Sequence, residues 1–366
     1  MAATAKGPGL KTVARAVGVS VATVSNAYNK PDHLSAELRE RIFAAARELR
    51  YAGPDPAARS LRGGRSGSIG VLSTVQLSYA FTDPYCTEYL AGVADMAERY
   101  QTSVLLMPLA PRAVSSDEEV RQSVVAVRNA VIDGVVIDGI DDGHPALRVV
   151  DERRLPRVRS TNDPAGRCVL IDDRAAGESL GRHLASLGHR NVAVVAASVH
   201  APGQVCVGAD DSELYPYARL RVAGLRDGLG AGGQLTVVAA GPNRPEDGQA
   251  AAAEILRWRP PASAIVGTSD VLGLAVLAAL REHGVHPGAE VSVAGFDDIP
   301  AAAAAGLTTV QQPIREKGRL MARMLLDPAM TQRRVVLPAR LVTRTSTAPA
   351  QPAIPATLTS DNEKEQ

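Results

Sequence analysis

Aromatic side chains are scarce in this chain of 366 residues: one Trp, eight Tyr and three Phe. Ala, Val, Leu and Gly dominate instead, which suits alternating strands and helices better than an aromatic-rich all-β core. Cysteine is scarcer still. Cys86, Cys168 and Cys206 lie far apart, with no CxxC spacing and no Cys/His pairing. That argues against a disulfide scaffold or a zinc site and for reduced cytosolic thiols. No run of 18 apolar residues occurs, which excludes a membrane-spanning helix. The opening residues, Met1 to Pro8, lack the continuous apolar stretch of a secretory signal, so a cytoplasmic protein is expected. Also missing are GxGxxG after a strand, GxxxxGK followed by Ser or Thr, HExxH and GxSxG. Asp172–Asp173 and Asp297–Asp298 are acidic pairs without a positioned nucleophile or metal-ligand set. An enzyme, a cofactor and a metal are therefore not expected.

The net charge of +1 hides an asymmetry. Residues 1–65 hold eleven Lys/Arg and five acids, a balance of +6, and the remainder balances at −5. A small basic head on a mildly acidic body points to a head that meets a polyanion.

Length alone suggests two or three domains. Residues 10–51 read as short helices, and residues 52–67 as a Pro/Gly-punctuated connection. From Ser68 onward, short apolar runs alternate with helical patterns. Strands are expected at 69–73, 104–109, 134–137, 157–160, 169–171, 192–196, 235–239, 264–267 and 291–294. Helices are expected at 85–100, 118–130, 175–187, 218–229, 246–258 and 270–283. Unalternating strands of this kind are buried on both faces of a parallel sheet, so the core is expected to be doubly wound α/β. About 270 residues of this pattern imply two lobes. The expected division is a head at 1–52, a hinge at 53–67, a core at 68–347 and a disordered tail at 348–366.

The head carries the most specific local signal. Residues 10–29 read Leu-Lys-Thr-Val-Ala-Arg-Ala-Val-Gly-Val-Ser-Val-Ala-Thr-Val-Ser-Asn-Ala-Tyr-Asn. Ala14 is small where two helices cross, and Gly18 can take the left-handed conformation that ends the first. Ser20 is a good N-cap for the second, and Val13, Val17, Val19 and Val24 form an apolar seam. Together they spell a helix-turn-helix. A third helix, from Ser35 to about Arg50, would lay Leu38, Ile42, Ala45 and Leu49 against the first two. In such a motif the helix Val21–Tyr28 enters the major groove. Val21 and Ala22 offer apolar contact, and Asn26 can pair bidentately with adenine. Ser20, Thr23, Ser25 and Asn29 are placed as phosphate or capping groups.

Here the chain resembles the LacI/GalR (lactose-repressor) family of bacterial transcription regulators. The resemblance runs through Leu10-Lys-Thr-Val-Ala, Gly18-Val-Ser-Val-Ala-Thr-Val-Ser, Ala57-Ala-Arg-Ser-Leu-Arg, Ser68-Ile-Gly-Val-Leu and Asp133-Gly-Val-Val-Ile. It continues through Leu187-Gly-His-Arg-Asn-Val-Ala, Arg219-Leu-Arg-Val-Ala-Gly-Leu, Ser269-Asp-Val-Leu-Gly-Leu-Ala, Val293-Ala-Gly-Phe-Asp-Asp-Ile and Leu307-Thr-Thr-Val. It covers roughly residues 10–345 in the family's order. The resemblance implies an all-α DNA-binding head, a hinge helix and a two-lobed core like a periplasmic sugar-binding protein. Lobe crossings are implied near 160, 294 and 325, and a homodimer on a near-palindromic operator. Thr12 and Arg59 join the DNA-facing residues by the same resemblance.

Asp55 can cap, and Pro56 suits the first turn, so Asp55–Arg62 can form a helix too short to be stable alone. By resemblance, Leu61 wedges between base steps in the minor groove; a plain flexible linker is the alternative. One more residue than in the common family pattern lies between Tyr51 and Arg59. In the core, the resemblance places Arg221 and Asp297 on a small-molecule effector, with Ser269 where many members have Asn. Phe81 falls in the first inter-lobe loop and can stack on a ring. The alternatives are a structural Arg221–Asp297 salt bridge and a core role for Phe81. Thr161 stands where several sugar-binding members carry Asp, and Asn243 near where some carry a stacking aromatic. A sugar is the family's default effector. The insertion-like stretch Ser198–Tyr217, with Gln204, Asp210, Asp211, Glu213, Tyr215 and Tyr217, either adds ligand contacts or caps its lobe.

The expected function is that of an effector-responsive transcription regulator, most simply a repressor. A periplasmic solute-binding protein shares the lobes but needs a signal peptide and no DNA-binding head. Dual activator–repressor behaviour is a further alternative.

Overall fold

The structure is a computed structural model that describes residues 8–29, 31–53, 66–110 and 115–351. The chain divides into two compact units, one reaching Ser68 together with Val131–Asp133, the other holding the rest.

In the first unit, the helix Leu10–Val17 stops at Gly18, whose φ of 77° lets its N–H turn back to the Ala14 carbonyl at 3.0 Å. Ser20 then caps Val21–Asn29, its Oγ accepting from the Thr23 N–H at 3.0 Å. Ser35 caps Ala36–Glu48 in the same way, through the Leu38 N–H. Val13, Val24 and Ile42 are wholly buried between the three helices, with Ala14, Ala27 and Ala46 filling the close crossings. Each of the three branched side chains contributes about 1.5–3 kcal/mol by burial, a large share of what so small a core can supply. Tyr28 closes the base of the cluster, edge-on to Phe43 and Tyr51.

The second unit has two sheets. One comprises β1 (Ser68–Ser73), β2 (Ser103–Pro108), β3 (Val135–Ile137), β4 (Arg157–Arg159), β5 (Arg167–Ile171) and β12 (Arg334–Leu337), in the order β12-β5-β4-β3-β1-β2. Every pairing from β12 to β1 is parallel. The other comprises β6 (Asn191–Ala196), β7 (Val205–Val207), β8 (Gln234–Ala240), β9 (Ala264–Gly267), β10 (Ser292–Asp297), β11 (Thr308–Gln311) and β13 (Arg340–Val342), in the order β13-β11-β10-β9-β6-β8-β7. Its centre is parallel, while both edge strands run antiparallel. Apart from Asn191 at the start of β6, strands β6, β9 and β10 are buried along their length, as unalternating Val/Ala/Ile runs require.

The chain crosses between these lobes three times, but not where expected. The crossings fall at 171–173, 311–314 and 337–340 in place of 160, 294 and 325. The reason is pairing. β5 fills the slot between β4 and β12, so the chain leaves the first lobe only after Ile171. β11 pairs with β10 in the second lobe, and the helix Ile314–Leu326 then returns to pack on Pro84–Arg99 in the first. Apolar strands carry no label saying which sheet they join.

Further elements are absent from the sequence-based expectation. These include the helices Pro145–Glu152 and Ile314–Leu326 and the strands β7, β11, β12 and β13. The edge strands are short and half-exposed, so they lack the apolar run that marks a central strand. Residues 348–351 also depart from the expected disordered tail. The Ala348 carbonyl accepts from His189 Nε2 and Ser292 Oγ, and the Ala350 N–H bonds to the Leu187 carbonyl. The expected hinge helix, with Arg59 and Leu61, and the rest of the tail lie outside the described residues. Among the described residues, no helix is long and apolar enough to cross a membrane.

Candidate functional site

In open α/β sheets, ligands bind beyond the carboxyl ends of the strands. Arg221 is held at such an end of the second sheet by the helix Pro216–Leu229. That helix lies unusually close to Asp173–Ser186. A Cβ on Gly177 would collide with the Arg221 carbonyl, and one on Gly224 with the Arg174 carbonyl. The close approach brings Asp173, in the first turn of its helix, to the guanidinium: Arg221 Nε donates to Asp173 Oδ1 at 2.8 Å. Arg221 Nη1 donates to the Thr268 carbonyl at 2.6 Å and reaches Asp297 Oδ1 at 3.5 Å. The Tyr217 and Phe296 rings bracket the guanidinium, with centroids at 4.8 and 4.7 Å. A buried charge needs this much compensation. Nη2 carries no hydrogen bond to any described residue, which leaves a donor for a ligand.

Asp297 ends β10 with φ at 118°, a conformation that L side chains rarely adopt. Its Oδ1 accepts from Gln312 Nε2 at 2.7 Å. Burial holds this carboxyl well above the usual range, against the pull of Arg221. The structure holds the Arg221–Asp297 ion pair of the salt-bridge alternative, at the carboxyl end of the second sheet.

The first lobe contributes the opposing wall. Tyr79 shares its hydroxyl hydrogen between Asp83 Oδ2, at 2.8 Å, and the Asn243 carbonyl of the second lobe, at 2.5 Å. Its oxygen accepts from Asn243 Nδ2 at 3.2 Å. Burial beside Asp83 pushes this hydroxyl above its ordinary value, so it stays protonated and donates. Lys317 is buried, bonded to the Tyr85 hydroxyl at 2.6 Å and to Asp138 Oδ1 at 3.1 Å. Tyr85 lies close enough to Asp297 and Arg221 to feel both charges.

The remaining expected site residues differ in their placement. Thr161 follows β4 with its Oγ1 shielded from water and without a hydrogen-bond partner, and the nearby Arg159 Nε is in the same state. Such atoms are rare and ask for an explanation. Ser269 is already engaged: it caps Asp270–Glu282 through the Leu272 N–H and donates to Asn243 Oδ1. Phe81 is 61% exposed, so its core alternative does not hold, and it lies free to stack. Sequence reasoning missed Asp83, Asp138, Asp173 and Lys317 as members of this constellation. Asp138 directly follows a buried strand, a signal that marks strand-end residues; Lys317 has no local signal at all.

One member of each acidic pair is committed to structure. Asp172 caps a helix through the Ala175 N–H, and Asp298 pairs with Arg344 at 2.6 Å. The insertion stretch folds onto the second lobe and gathers His200, Cys206 and Glu213, a Cys/His juxtaposition that the sequence reading did not find.

In the head, Thr12, Ser20, Val21, Ala22 and Asn29 are exposed, and Thr23, Ser25 and Asn26 are half-buried. The Ser20 and Asn29 polar groups are partly spent locally, on Thr23 and Ser25. Val21 is an exposed branched residue at the first position of its helix, where it costs water contact and gains nothing within the head.

The head matches the family model described as bacterial regulatory proteins, lacI family, over residues 9–53. Residues 182–347 match a periplasmic binding protein-like domain. The HTH-type transcriptional regulator Rv3575c of Mycobacterium tuberculosis is 38% identical over 329 residues, 87% of this chain and 90% of that protein. Among solved structures, a lac repressor dimer bound to operator and the anti-inducer ONPF superposes with a TM-score of 0.75. It is 25% identical, covering 94% of this chain and 100% of that one. A complex of the transcriptional regulator CelR with cellobiose gives a TM-score of 0.64 at 26% identity, covering 93% and 99% of the two chains.

Proposed function

The chain belongs to the lacI family of bacterial regulatory proteins and is a DNA-binding transcriptional regulator modulated by a small-molecule effector; from that premise we propose that it is a cytoplasmic repressor, dimeric on a near-palindromic operator, whose effector is a sugar-class molecule held between the two lobes. Arg221 is the anchor. Vicinal hydroxyls suit this pair, accepting from the free Nη2 and donating to an oxygen of the Asp297 carboxyl. From the facing lobe Phe81 offers an exposed ring, and Thr161 an unpartnered hydroxyl that only a shift of the lobes would bring to the ligand. The core binds and signals and has no catalytic role, a reading supported by the family's description as regulatory proteins.

The observation that carries this reading is the Arg221 guanidinium: buried, bracketed by two rings, paired with two carboxylates, and still holding one free donor. The likeness to a CelR–cellobiose complex supports the sugar class, and the likeness to a lac repressor dimer on its operator supports the dimer. Mechanistically, a ligand shifts a two-state equilibrium only by binding one state more tightly. A ligand that bridges Arg221 and Thr161 binds only when the lobes hold one relative position, and so biases the head through the core.

A thermal-shift screen of sugars, sugar phosphates and nucleosides tests the ligand class, because a specific ligand raises the melting temperature by mass action. Operator gel shifts with the hit test the direction. A hit that releases DNA supports an inducer-controlled repressor. Stabilisation by nucleosides alone overturns the sugar reading.

A further inference from the structure

The stretch after β6 folds back on itself in a way that brings three metal-binding side chains together. Ser198 bridges Leu214 in antiparallel fashion, and the Val199 N–H donates to the Glu213 carbonyl at 2.9 Å. That pairing sets His200 against Glu213. The edge strand β7 supplies the third member, with Cys206 in register opposite Ala239 of β8. The loop between is fixed as well: the Gly203 N–H donates to Asp247 Oδ1 at 2.7 Å, and the Gly208 N–H to the Val237 carbonyl at 2.8 Å. The imidazole nitrogen, thiol sulfur and carboxylate oxygen all lie within 4.8 Å of one another.

A second observation is independent of that proximity. His200 Nε2 and Glu213 Oε2 are 3.5 Å apart, yet both atoms are shielded from water and neither makes a hydrogen bond. They form an ion pair only when the imidazole is protonated; beside a neutral imidazole both atoms lack a partner, a state that buried polar atoms rarely show. A cation between them would satisfy both.

We infer that His200, Cys206 and Glu213 form a binding site for a divalent transition metal, with zinc the best match to the donors. One thiolate, one imidazole and one carboxylate suit a borderline-soft ion, whereas calcium and magnesium take six or more oxygens. Tetrahedral zinc holds such ligand atoms roughly 3.3–3.6 Å apart, so the present spacing needs closure of about an ångström, which side-chain rotation supplies. Three protein ligands leave a fourth position for water or a small ligand. The site pins the loop that leads into Tyr217, the ring lying 4.8 Å from the Arg221 guanidinium. Metal occupancy thereby stiffens one edge of the effector cleft. The inference does not depend on what the effector is.

The test uses the full-length reduced chain, stripped of metal and titrated with zinc chloride against a chromophoric chelator. One equivalent should bind near neutral pH and be released by acid, since the ligands must lose protons to bind. His200→Gln, Cys206→Ser and Glu213→Gln should each weaken binding tenfold or more. With cobalt chloride, wild type and Cys86→Ser should show a thiolate-to-metal absorption band that Cys206→Ser lacks. Less than stoichiometric binding, affinity unchanged in the three variants, or a band that follows Cys86 would each overturn the site. Should Cys206→Ser fail to fold by circular dichroism, alkylation of Cys206 in the wild-type chain decides. Zinc should slow it at least tenfold, and an unchanged rate rejects the proposal.

Discussion

The Tyr79 hydroxyl lies 2.5 Å from the carbonyl oxygen of Asn243, and these two residues belong to different lobes. Asn243 holds φ at 77°, a left-handed conformation that Asn tolerates better than most residues, and that turns both its carbonyl and its side-chain amide toward Tyr79. The same amide oxygen accepts from Ser269, so the latch reaches the N-terminus of Asp270–Glu282. Asp83 completes it from the first lobe.

Tyr79→Phe should therefore ease lobe opening without disturbing either lobe. It removes a hydrogen bond to a charged partner, a term of about 1.5–3 kcal/mol. Effector affinity should fall by about tenfold, read by titration, while the circular dichroism spectrum stays that of wild type. An unchanged affinity would show that the latch plays no part in effector binding.

Arg221→Ala should abolish the effector response in operator gel shifts, while operator affinity stays within about threefold of wild type. It should also lower stability by about 3–5 kcal/mol, because Asp173 and Asp297 then face each other without their cation. Adding Asp297→Asn should restore part of that loss. Denaturant melts of the single and double variants measure it. A normal effector response in a folded Arg221→Ala protein would reject its role as anchor.

Binding of the +6 head to DNA should weaken steeply with salt, log affinity falling by about 0.9 per phosphate neutralised for each unit of log salt. Leu61→Ala leaves every Lys and Arg in place, so random-DNA affinity should persist. The operator-to-random ratio should fall by roughly tenfold, about 1.4 kcal/mol, if Leu61 wedges between base steps. Both constants, measured at one salt concentration, decide between wedge and linker.

Asp270 contributes a pH dependence, with the same sign as that of Asp297. Burial pushes its carboxyl up to about 7, against hydrogen bonds from Thr309 Oγ1 and the Ile299 N–H. Its folded-state value thus lies above the ordinary one, so between about pH 4 and pH 7 the folded chain holds a proton that the unfolded chain has lost. Stability from this group is fully present below pH 4 and is lost as pH rises through 7, by roughly 4 kcal/mol at most. Asp270→Asn should flatten that slope in denaturant melts taken across the range. A slope unchanged from wild type would place the titration elsewhere.

The head was legible in the sequence because its determinants are local. Gly18 and Ser20 act on the turn that contains them, and the Val13/Val24 seam repeats at helical spacing. The alternation of strands and helices was legible for the same reason, as buried parallel strands and amphipathic helices each leave a short-range period. Arg221 and Asp297 were singled out through their motifs, and the structure sets them 3.5 Å apart.

Sequence by itself determined which segments fold and which end is basic, since each depends on residues within a turn or a strand of one another. Only the tertiary structure decided which sheet each strand joins, that Lys317 meets Asp138, that Tyr79 meets Asn243, and that His200 and Cys206 share a corner with Glu213. Those pairs are set by strand order and helix packing over separations of up to 179 residues, and no pattern along the chain encodes them.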